Sequence, residues 1–368
     1  MSEPIRVLHI FKTLSPGGIE TLVMNIYRAI DRDKIQFDFA LTGGEKTFYD
    51  DEVLSLGGRI FYFDPKKSIE RNLSEVFKTK GPFRVMHSHV YFYSGVVLRC
   101  AARYNIPVRI AHAHNTSFGQ QYTIKRRIYE WLMRRWILRY ATDMFGCSED
   151  ACRFVFGKNC MKDPRCRVLH NGFDVKAYSF NSEKRNTIRE HYHIQETQLV
   201  VGHVGRFEIQ KNHNQLIDIF AEIHAVCSDS VLLMVGRGTL MEEIKEKCER
   251  LGLLDSCRFA GAQKDTPSYY SAMDVFLFPS LYEGLGSVLI EAQANGLSVV
   301  TTKDLVPKDI DVTGRASFVA LNAPAEKWAK EVLKAENEHR ADRDKSVVIE
   351  EYDIRNVTAI LSDIYVGL

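Results

Sequence analysis

The sequence predicts an α/β protein with two doubly wound parallel sheets. Thirteen short runs rich in valine, isoleucine, leucine and phenylalanine alternate with longer segments of helical periodicity. Strands that are apolar on both faces and separated by helices are typical of parallel sheets covered on both sides. A length of 368 residues exceeds one such unit and suits two, each large enough for its own core.

The predicted strands fall into two groups along the chain. The first group is 7–11, 37–41, 59–63, 85–89, 108–112, 144–147 and 168–170. The second group is 199–204, 231–235, 257–260, 275–278, 299–301 and 318–320. Residues 174–198 are polar and charged throughout, so we expect a linker there. This places one domain at 1–180, a second at 181–350 and a final helical segment at 351–368.

Composition excludes several classes of protein. Hydrophobic residues make up 45% and charged residues 26% of the chain, as in soluble globular proteins. No apolar run reaches the roughly 18–20 residues that span a bilayer, and the N-terminus does not have the pattern of a signal peptide. The eight cysteines are scattered without a Cys-x-x-Cys pair. We therefore expect reduced thiols and a cytoplasmic location.

Residues 276–291 are the most informative stretch. An apolar strand pattern is followed by a Glu-Gly-x-Gly turn and then by an apolar helical pattern. Gly284 and Gly286 allow backbone N–H groups to face a ligand at a helix N-terminus, where anions bind. Glu283 and Glu291 flank this turn and can accept hydrogen bonds from hydroxyl groups. Phosphate and polyol recognition side by side indicate a nucleotide sugar.

A second basic motif follows the first strand of the second half. In open α/β sheets, ligands bind beyond the carboxyl ends of the strands. Arg206 offers a planar fork of donors and Lys211 a compact charge, a pair that suits a diphosphate. Gly205 precedes the arginine. Gly236 and Gly261 end the next two strands and leave room for a ligand near the backbone.

The first half carries a glycine turn at the end of its first strand. Gly17 and Gly18 precede a helical pattern, so their amides can meet a phosphate, although a simple tight turn explains the pair equally well.

Histidines end two later strands of the first half. They are His87 and His89, then His112 and His114, with Asn115 next in the chain. A neutral imidazole at His114 can hydrogen-bond a sugar hydroxyl or transfer a proton. Metal binding is the competing interpretation. No carboxylate or cysteine lies at ligand spacing, so we expect no metal.

Residues 122–140 form a basic helical segment that also contains tryptophan. The first 180 residues carry 28 lysines and arginines against 18 aspartates and glutamates, whereas the remainder carries 21 against 29. Basic side chains interleaved with tryptophan suit an anionic membrane surface, although these charges spread around much of the helix. No recognised motif supports nucleic-acid binding.

With these motifs in place, the chain resembles the family 4 retaining glycosyltransferases of the GT-B fold, in the branch that builds exopolysaccharide and capsule. The resemblance covers essentially the whole chain. Its most specific part is Glu283-x7-Glu291 within the Pro-Ser-x-x-Glu-Gly-x-Gly motif. The other motifs are Gly17-Gly18-x-Glu20, His114, Asn171-Gly172-x-Asp174, Gly205-Arg206 and Lys211-Asn212.

The resemblance implies two Rossmann-like domains that face each other across a cleft. The domain at 1–180 would be on the acceptor side, the domain at 181–350 would bind the nucleotide sugar, and a helix in 351–368 would return to the first domain. The donor would be a UDP-sugar carrying a hexose or N-acetylhexosamine. The acceptor would be lipid-linked or a polysaccharide, and the enzyme would work in the cytoplasm, at the periphery of the inner membrane face.

The resemblance also implies a role for each candidate residue. Arg206 and Lys211 would neutralise the diphosphate and stabilise it as it departs. The amides of Leu285 and Gly286 would add to that anion site, Glu291 would bind the ribose hydroxyls, and Glu283 would bind the donor sugar. Gly17 and Gly18 would close on the phosphates, and His114 would line the sugar and acceptor site.

The implied mechanism is front-face attack with retention of configuration, without a glutamate nucleophile. A divalent metal ion is not expected, because lysine and arginine would replace it. The Asp-x-Asp sequences at 31–33, 309–311 and 342–344 do not lie at strand ends.

Two other functions remain open at this stage. A GT-B sugar-nucleotide epimerase would release isomers of its substrate without any acceptor. A nicotinamide-dependent dehydrogenase would also have Rossmann-like domains, but the first strand is not followed by Gly-x-Gly-x-x-Gly.

Two positions depart from the common family pattern. Ser298 stands where proline is usual, and residues 303–309 replace a frequent Gly-Gly-x-x-Glu loop. Because that loop borders the donor site in the family, the sequence leaves the identity of the sugar open.

Overall fold

The computed structural model describes residues 3–15, 17–114, 123–283, 285–339 and 349–367. The chain folds as two compact units: Met1–Phe173 with Glu351–Leu368, and Asp174–Glu350. Each described unit has a parallel sheet and an apolar core.

The first unit contains a seven-stranded parallel sheet in the order β3-β2-β1-β4-β5-β6-β7. Its strands are β1 (Ile5–Phe11), β2 (Ile35–Leu41), β3 (Arg59–Tyr62), β4 (Val85–Ser88), β5 (Val108–Ala113), β6 (Asp143–Gly146) and β7 (Cys166–Val168). Its helices before the second unit are α1 (Gly18–Ala29), α2 (Asp50–Ser55), α3 (Ile69–Lys80), α4 (Ser94–Arg103), α5 (Ile124–Tyr140) and α6 (Glu149–Phe156). The strand order reverses between β1 and β4, the kind of position where open sheets bind ligands.

The second unit contains a six-stranded parallel sheet in the order β10-β9-β8-β11-β12-β13. Its strands are β8 (Val200–Val204), β9 (Val231–Val235), β10 (Cys257–Gly261), β11 (Val275–Phe278), β12 (Ser298–Thr302) and β13 (Ala316–Val319). Its helices are α7 (Val175–Tyr178), α8 (Ser182–His191), α9 (His213–Val226), α10 (Met241–Arg250), α11 (Thr266–Ala272), α12 (Ser287–Ala294) and α13 (Ala325–His339). Short 3-10 turns connect several of these elements.

The polar segment 174–198, expected to be a linker, is largely helical. The Asn181 side chain caps α8 by accepting a hydrogen bond from the Lys184 amide. Arg189 is buried and its Nη2 lies 2.7 Å from Asp274 Oδ2. The charged residues of a buried ion pair give a helix the same polar sequence as a solvated linker, so polarity alone predicted this segment wrongly.

The two units divide at 173/174, whereas the sequence placed a boundary at 180/181. Tyr178 explains the difference. Its hydroxyl lies 3.0 Å from Thr266 Oγ1, and its carbonyl accepts a hydrogen bond of 2.8 Å from the Asn295 side chain. These contacts attach α7 to the second unit.

The last helix, α14 (Ile354–Val366), packs on α1 and β1 of the first unit. The Arg84 guanidinium donates hydrogen bonds to the carbonyls of Tyr365 and Val366, at 3.0 and 2.7 Å. Tyr365 is fully buried in the core. The C-terminal segment therefore completes the core that the N-terminal segment begins.

Candidate active site

A buried ion pair lies where β11 ends. Lys211 Nζ is 2.6 Å from Glu283 Oε1, and both side chains are largely buried. The Ser280 hydroxyl lies 2.5 Å from the same carboxylate oxygen, and the lysine ammonium is 4.7 Å from the Phe278 ring centroid. A buried pair of charges needs such additional hydrogen bonds to offset desolvation.

Backbone contacts fix the loop that carries Glu283. The Leu281 amide donates to the Gln210 carbonyl at 2.8 Å, and the Gln210 side chain donates to the Tyr282 carbonyl at 2.8 Å. The Thr302 hydroxyl donates to the Ser280 carbonyl at 2.8 Å. The connection from β8 to α9 and the loop after β11 thus form one hydrogen-bonded assembly, which sets the position of Lys211 relative to Glu283.

The three strand-end glycines of the second unit are in contact. The Gly236 amide donates to the Gly261 carbonyl at 2.8 Å. Gly236 has φ +148°, and a Cβ on it would lie 1.9 Å from the Gly205 carbonyl oxygen. Only glycine fits there. Arg206, which follows Gly205, is exposed, and within the described residues no carboxylate forms an ion pair with it.

Glu291 on α12 is enclosed by two tyrosines. The Tyr270 hydroxyl donates to Glu291 Oε2 at 2.9 Å, and Tyr178 also bonds to the carboxylate. Burial raises the pKa of Glu291 to about 7, although both tyrosine hydrogen bonds favour the charged form. Burial and the charge of Glu291 raise the pKa of Tyr270 in turn. This carboxylate is oriented and ready to accept hydrogen bonds from further hydroxyls.

The turn between the two glutamates leads directly into α12. Leu285 is buried, and Gly286 adopts a left-handed conformation with φ +76° at the start of the helix. Gly284 lies outside the described residues. The Glu283 amide donates to the Leu305 carbonyl at 3.1 Å. The divergent loop 303–309 therefore lies against the residue expected to face the donor sugar.

The Asp-x-Asp sequences of the described residues have ordinary structural partners. Asp31 pairs with Lys34 at 2.9 Å, and Asp311 accepts a hydrogen bond from the Ala316 amide at 3.2 Å. The third sequence, at 342–344, lies outside the described residues.

In the first unit, Gly17 and Gly18 lie at the N-terminus of α1. Gly17 is the N-cap residue, with its carbonyl accepting from the Thr21 amide at 2.9 Å. A Cβ on Gly17 would lie 2.5 Å from a carboxylate oxygen of Glu20, whereas a Cβ on Gly18 would meet nothing within 4 Å. The Glu20 carboxylate is the end of a flexible side chain, so neither position excludes a side chain on steric grounds.

The strand-end histidines are fully buried and joined by hydrogen bonds. His89 Nδ1 lies 3.0 Å from His114 Nε2, and His87 Nε2 lies 3.2 Å from His112 Nδ1. Burial lowers the pKa of His114 to about 3. His9 of β1 joins the group, with Nδ1 at 3.1 Å from His89 Nε2. Asn115, next to His114 in sequence, lies outside the described residues.

These histidines also have the spacing of potential metal ligands. One nitrogen each of His9, His87 and His89 lie within 4.8 Å of one another, as do those of His89, His112 and His114. The sequence analysis missed His9. A sequence signal was available, because successive residues of a strand alternate between the two faces of the sheet. Residue 9 lies on the same face as residues 87, 89, 112 and 114.

Helix α5 presents apolar and basic side chains together. Ile124 is 76% and Trp131 55% exposed, and their spacing puts them on one side of the helix with Ile128. Lys125, Arg127, Arg135 and Arg139 are also exposed. Arg134 instead donates to carbonyls of α6. Tyr122, the first residue of the predicted segment, lies outside the described residues. No described helix is long and apolar enough to cross a membrane.

The chain belongs to the group 1 glycosyltransferases, the family 4 enzymes of the GT-B fold. Residues 184–351 match the family described as "Glycosyl transferases group 1", and residues 17–172 match the "Glycosyl transferase 4-like domain". The match boundaries follow the two structural units. The predicted fold class and family are confirmed.

Two named relatives span nearly the whole chain, and a third spans most of it. The putative glycosyltransferase EpsF of Bacillus subtilis is 35% identical, covering 98% of this chain and 96% of its own. The capsular polysaccharide biosynthesis glycosyltransferase CapH of Staphylococcus aureus is 25% identical, covering 99% of both. An Escherichia coli UDP-Gal:α-D-GlcNAc-diphosphoundecaprenol α-1,3-galactosyltransferase is 25% identical, covering 81% of this chain and 79% of its own.

The fold agrees with solved glycosyltransferase-like structures. Alr3699/HepE from Anabaena, crystallised in complex with UDP, superimposes with a TM-score of 0.81 at 17% identity, covering 99% of this chain and 100% of its own.

Proposed function

We propose that this glycosyltransferase moves a hexose or N-acetylhexosamine from a UDP-sugar to a lipid-linked or polysaccharide acceptor, with retention of configuration, in surface polysaccharide synthesis. The observation that carries the proposal is the contact between Lys211 and Glu283, at 2.6 Å. Lys211 shares the connection from β8 to α9 with Arg206, and the loop of Glu283 leads into the helix of Glu291. A cation and a carboxylate in contact, next to a helix N-terminus, support the binding of a sugar diphosphate.

In the proposed complex, the diphosphate binds to Lys211 and Arg206. The amides of Leu285 and Gly286, at the start of α12, contribute further donors, and Gly284 belongs to the same turn in sequence. Such preorganised charge stabilises the leaving phosphate as the glycosidic bond breaks, often the largest contribution to catalysis. Gly205, Gly236 and Gly261 keep side chains away from the nucleotide.

The hydroxyl groups of the donor are assigned to the two glutamates. Glu291 receives the ribose hydroxyls because Tyr270 and Tyr178 already orient its carboxylate. Glu283 receives the donor sugar, next to the divergent loop at Leu305. Since that loop differs from the common family pattern, it is the first place to look for the choice of sugar.

We assign no covalent nucleophile. Lys211 and Ser280 both contact Glu283 Oε1, which lowers the nucleophilicity of the carboxylate and leaves it a hydrogen-bonding role toward the sugar. In the proposed mechanism the acceptor oxygen attacks on the face that the phosphate leaves, and the phosphate takes the acceptor's proton. Arg206 and Lys211 serve in place of a metal ion. For the first unit, the roles that the family resemblance implies stay predictions: phosphate binding for Gly17 and Gly18, and sugar or acceptor binding for His114.

The acceptor assignment draws on the names of relatives. The Escherichia coli relative is named for a lipid-linked acceptor and a UDP-sugar, and CapH for capsular polysaccharide biosynthesis. The exposed face of α5 supplies a means to reach such an acceptor. Isoleucine and tryptophan insert at the lipid interface while neighbouring lysine and arginine contact anionic headgroups.

The proposal is tested by assaying purified protein with a panel of UDP-sugars and undecaprenyl-diphosphate-linked acceptors. The anomeric configuration of the product is read by NMR. A new linkage with the configuration of the donor supports the proposal. An inverted linkage, or release of UDP-sugar isomers without acceptor, would contradict it.

A further inference from the structure

Five histidines form one buried layer on a single face of the first sheet. His9 on β1 pairs in register with His87 on β4, and alternate residues of neighbouring strands add His89, His112 and His114. Each ring is at most 5% exposed. Three of these rings form a continuous chain that ends at the residue assigned to the sugar.

The row of hydrogen-bonded rings runs from His9 through His89 to His114. His9 Nδ1 lies 3.1 Å from His89 Nε2, and His89 Nδ1 lies 3.0 Å from His114 Nε2. The outer nitrogens, His9 Nε2 and His114 Nδ1, have no hydrogen-bond partner in the part of the chain that the structure describes.

Proton counting limits this chain to two arrangements. Burial lowers the pKa of His9 and of His114 to about 3 and lowers the pKa of His89 well below its ordinary value, so all three rings are neutral at physiological pH. A neutral imidazole has one N–H and one lone pair. Three rings therefore have three N–H groups, two of which form the internal bonds. The third N–H is left at one end of the chain, and a lone pair is left at the other.

The surroundings of the two ends decide between the arrangements. His9 is packed against Phe37 and Phe39, with ring centroids at 4.3 and 5.6 Å. An N–H buried there without an acceptor costs more than a lone pair in the same place. His114 follows the last residue of β5, at the carboxyl edge of the sheet, where ligands bind. His114 Nδ1 is buried as well, but it is at the end where a bound sugar oxygen can accept a hydrogen bond, so the unused N–H is favoured at His114.

We infer that His114 presents its Nδ1–H to a sugar oxygen as a hydrogen-bond donor, and that His89 and His9 are positioning residues that fix this tautomer. The inference rests on the proposed function, because it assumes that His114 contacts sugar. Of the two roles expected for His114, proton transfer and hydrogen bonding, it keeps only the donation of a hydrogen bond. His9, within the apolar core, thereby acts on the site through two intervening hydrogen bonds.

Metal binding is the alternative use of the same nitrogens. A metal ion bound by His9 and His89 would take the lone pairs that the hydrogen bonds use. None of the hydrogen bonds described for the three rings involves a carboxylate or thiolate, so the charge of a dication would be buried without compensation. The hydrogen-bonded arrangement avoids that cost.

The test reads the tautomers directly, by NMR correlation of histidine ring nitrogens and protons in 15N-labelled protein. His114→Gln assigns the signals. We expect Nδ1–H at His9, His89 and His114. Nε2–H at His114, or a stoichiometric metal ion in the purified protein, would overturn the inference. This measurement needs no substrate, so it stands or fails separately from the proposed function.

Variants of His9 then test the link to activity. In His9→Asn the amide nitrogen replaces Nδ1, and both the His114 tautomer and kcat/KM should stay close to the parent. In His9→Asp a carboxylate accepts a hydrogen bond from His89 Nε2 instead of receiving a donor there, which reverses both hydrogen bonds. His114 should then change to Nε2–H, and kcat/KM should fall about tenfold, as for one neutral hydrogen bond. UDP affinity should not change. His112→Phe is the control, because His112 is hydrogen-bonded to His87 and not to His9, His89 or His114.

An unchanged His114 tautomer in folded His9→Asp would contradict the inference. If His9→Asp does not fold, the tautomers of the parent protein and of His9→Asn still decide it.

Discussion

Lys211 Nζ and Glu283 Oε1 lie 2.6 Å apart although the residues are separated by 72 positions in the chain. The pair is largely buried, and Ser280 bonds to the same carboxylate oxygen. The motif that contains Lys211 and the motif that contains Glu283 are therefore in direct contact. Removing either charge leaves the other buried without its ion pair, so activity and stability are linked at this position.

The first prediction separates the two cations. Lys211→Ala and Arg206→Ala should each lower kcat by about 10²- to 10³-fold, the usual effect of removing one group that stabilises a leaving anion. Lys211→Ala should also lower the melting temperature, because Glu283 loses its partner. Arg206→Ala should not, since Arg206 is exposed. Transfer assays and thermal unfolding measure the two effects.

Lys330→Ala is the matched control for both variants. Lys330 is 73% exposed and pairs with Glu326 on α13, at 2.7 Å. Its removal should change neither rate nor melting temperature appreciably. Equal activity in all three variants would show that the basic residues do not hold the diphosphate.

The second prediction concerns the pH dependence of Glu291. Its folded-state pKa of about 7 exceeds the ordinary value of 4.5, so the folded protein keeps a proton that the unfolded chain releases. Stability contributed by this group is therefore present below pH 4.5 and lost as pH rises to 7. Glutamine does not ionise, so Glu291→Gln should be more stable than the parent at pH 8.

The same substitution should weaken UDP binding. Charged acceptors bind hydroxyls more strongly than neutral ones, so Glu291→Gln should raise the Kd for UDP about tenfold or more. The parent's own affinity should fall below pH 7, as Glu291 becomes protonated. Calorimetric titration and urea unfolding across pH measure both trends. A variant that is destabilised at pH 8 would refute the assigned burial cost.

The third prediction concerns Gly236. Gly236→Ala places a methyl group where the Gly205 carbonyl lies 1.9 Å away, so the backbone before Arg206 must move. We expect a lower melting temperature and weaker UDP binding. Gly314→Ala shares the positive φ, +72°, but meets nothing within 4 Å. It should cost stability through backbone strain alone and leave UDP binding unchanged.

The fourth prediction concerns the exposed face of α5. Co-sedimentation with vesicles of anionic lipid should fall strongly for Trp131→Ser with Ile128→Ser, and for Arg127→Glu with Arg135→Glu. Exposed charges on the same unit, Lys66 and Lys78, supply a charge-matched control: Lys66→Glu with Lys78→Glu should keep binding. Binding that shows no preference for anionic lipid would exclude the proposed surface.

The sequence predicts all thirteen strands to within two residues at each end, because apolar runs in a parallel sheet are distinctive. Valines 231 and 235 bound β9 in sequence and structure alike. The polar segment 174–198 was misread, since Arg185 and Arg189 both pair with Asp274 in the folded chain. Single-sequence polarity does not distinguish a solvated charge from a paired one.

The candidate site was only partly visible in the sequence. Glu283, Glu291 and Lys211 stand in recognisable motifs. Tyr270, which orients Glu291, precedes it by 21 positions on another helix and has no local signal. His9 was missed for a similar reason, because its contact with His89 spans 80 positions. Contacts between residues that are distant in sequence depend on the topology of the fold, and no local sequence spacing indicates them.

The measurement that tests the central claim most directly is a thermal-shift panel of nucleotides and nucleotide sugars, with the parent protein, Lys211→Ala and Glu291→Gln. A ligand that binds only the folded form adds about 2.7 kcal/mol of stability at a hundred times its Kd. We expect UDP and one or a few UDP-sugars to raise the melting temperature of the parent, and to do so less in both variants. A shift with NAD(H) instead of UDP, or an equal UDP shift in all three proteins, would contradict the account.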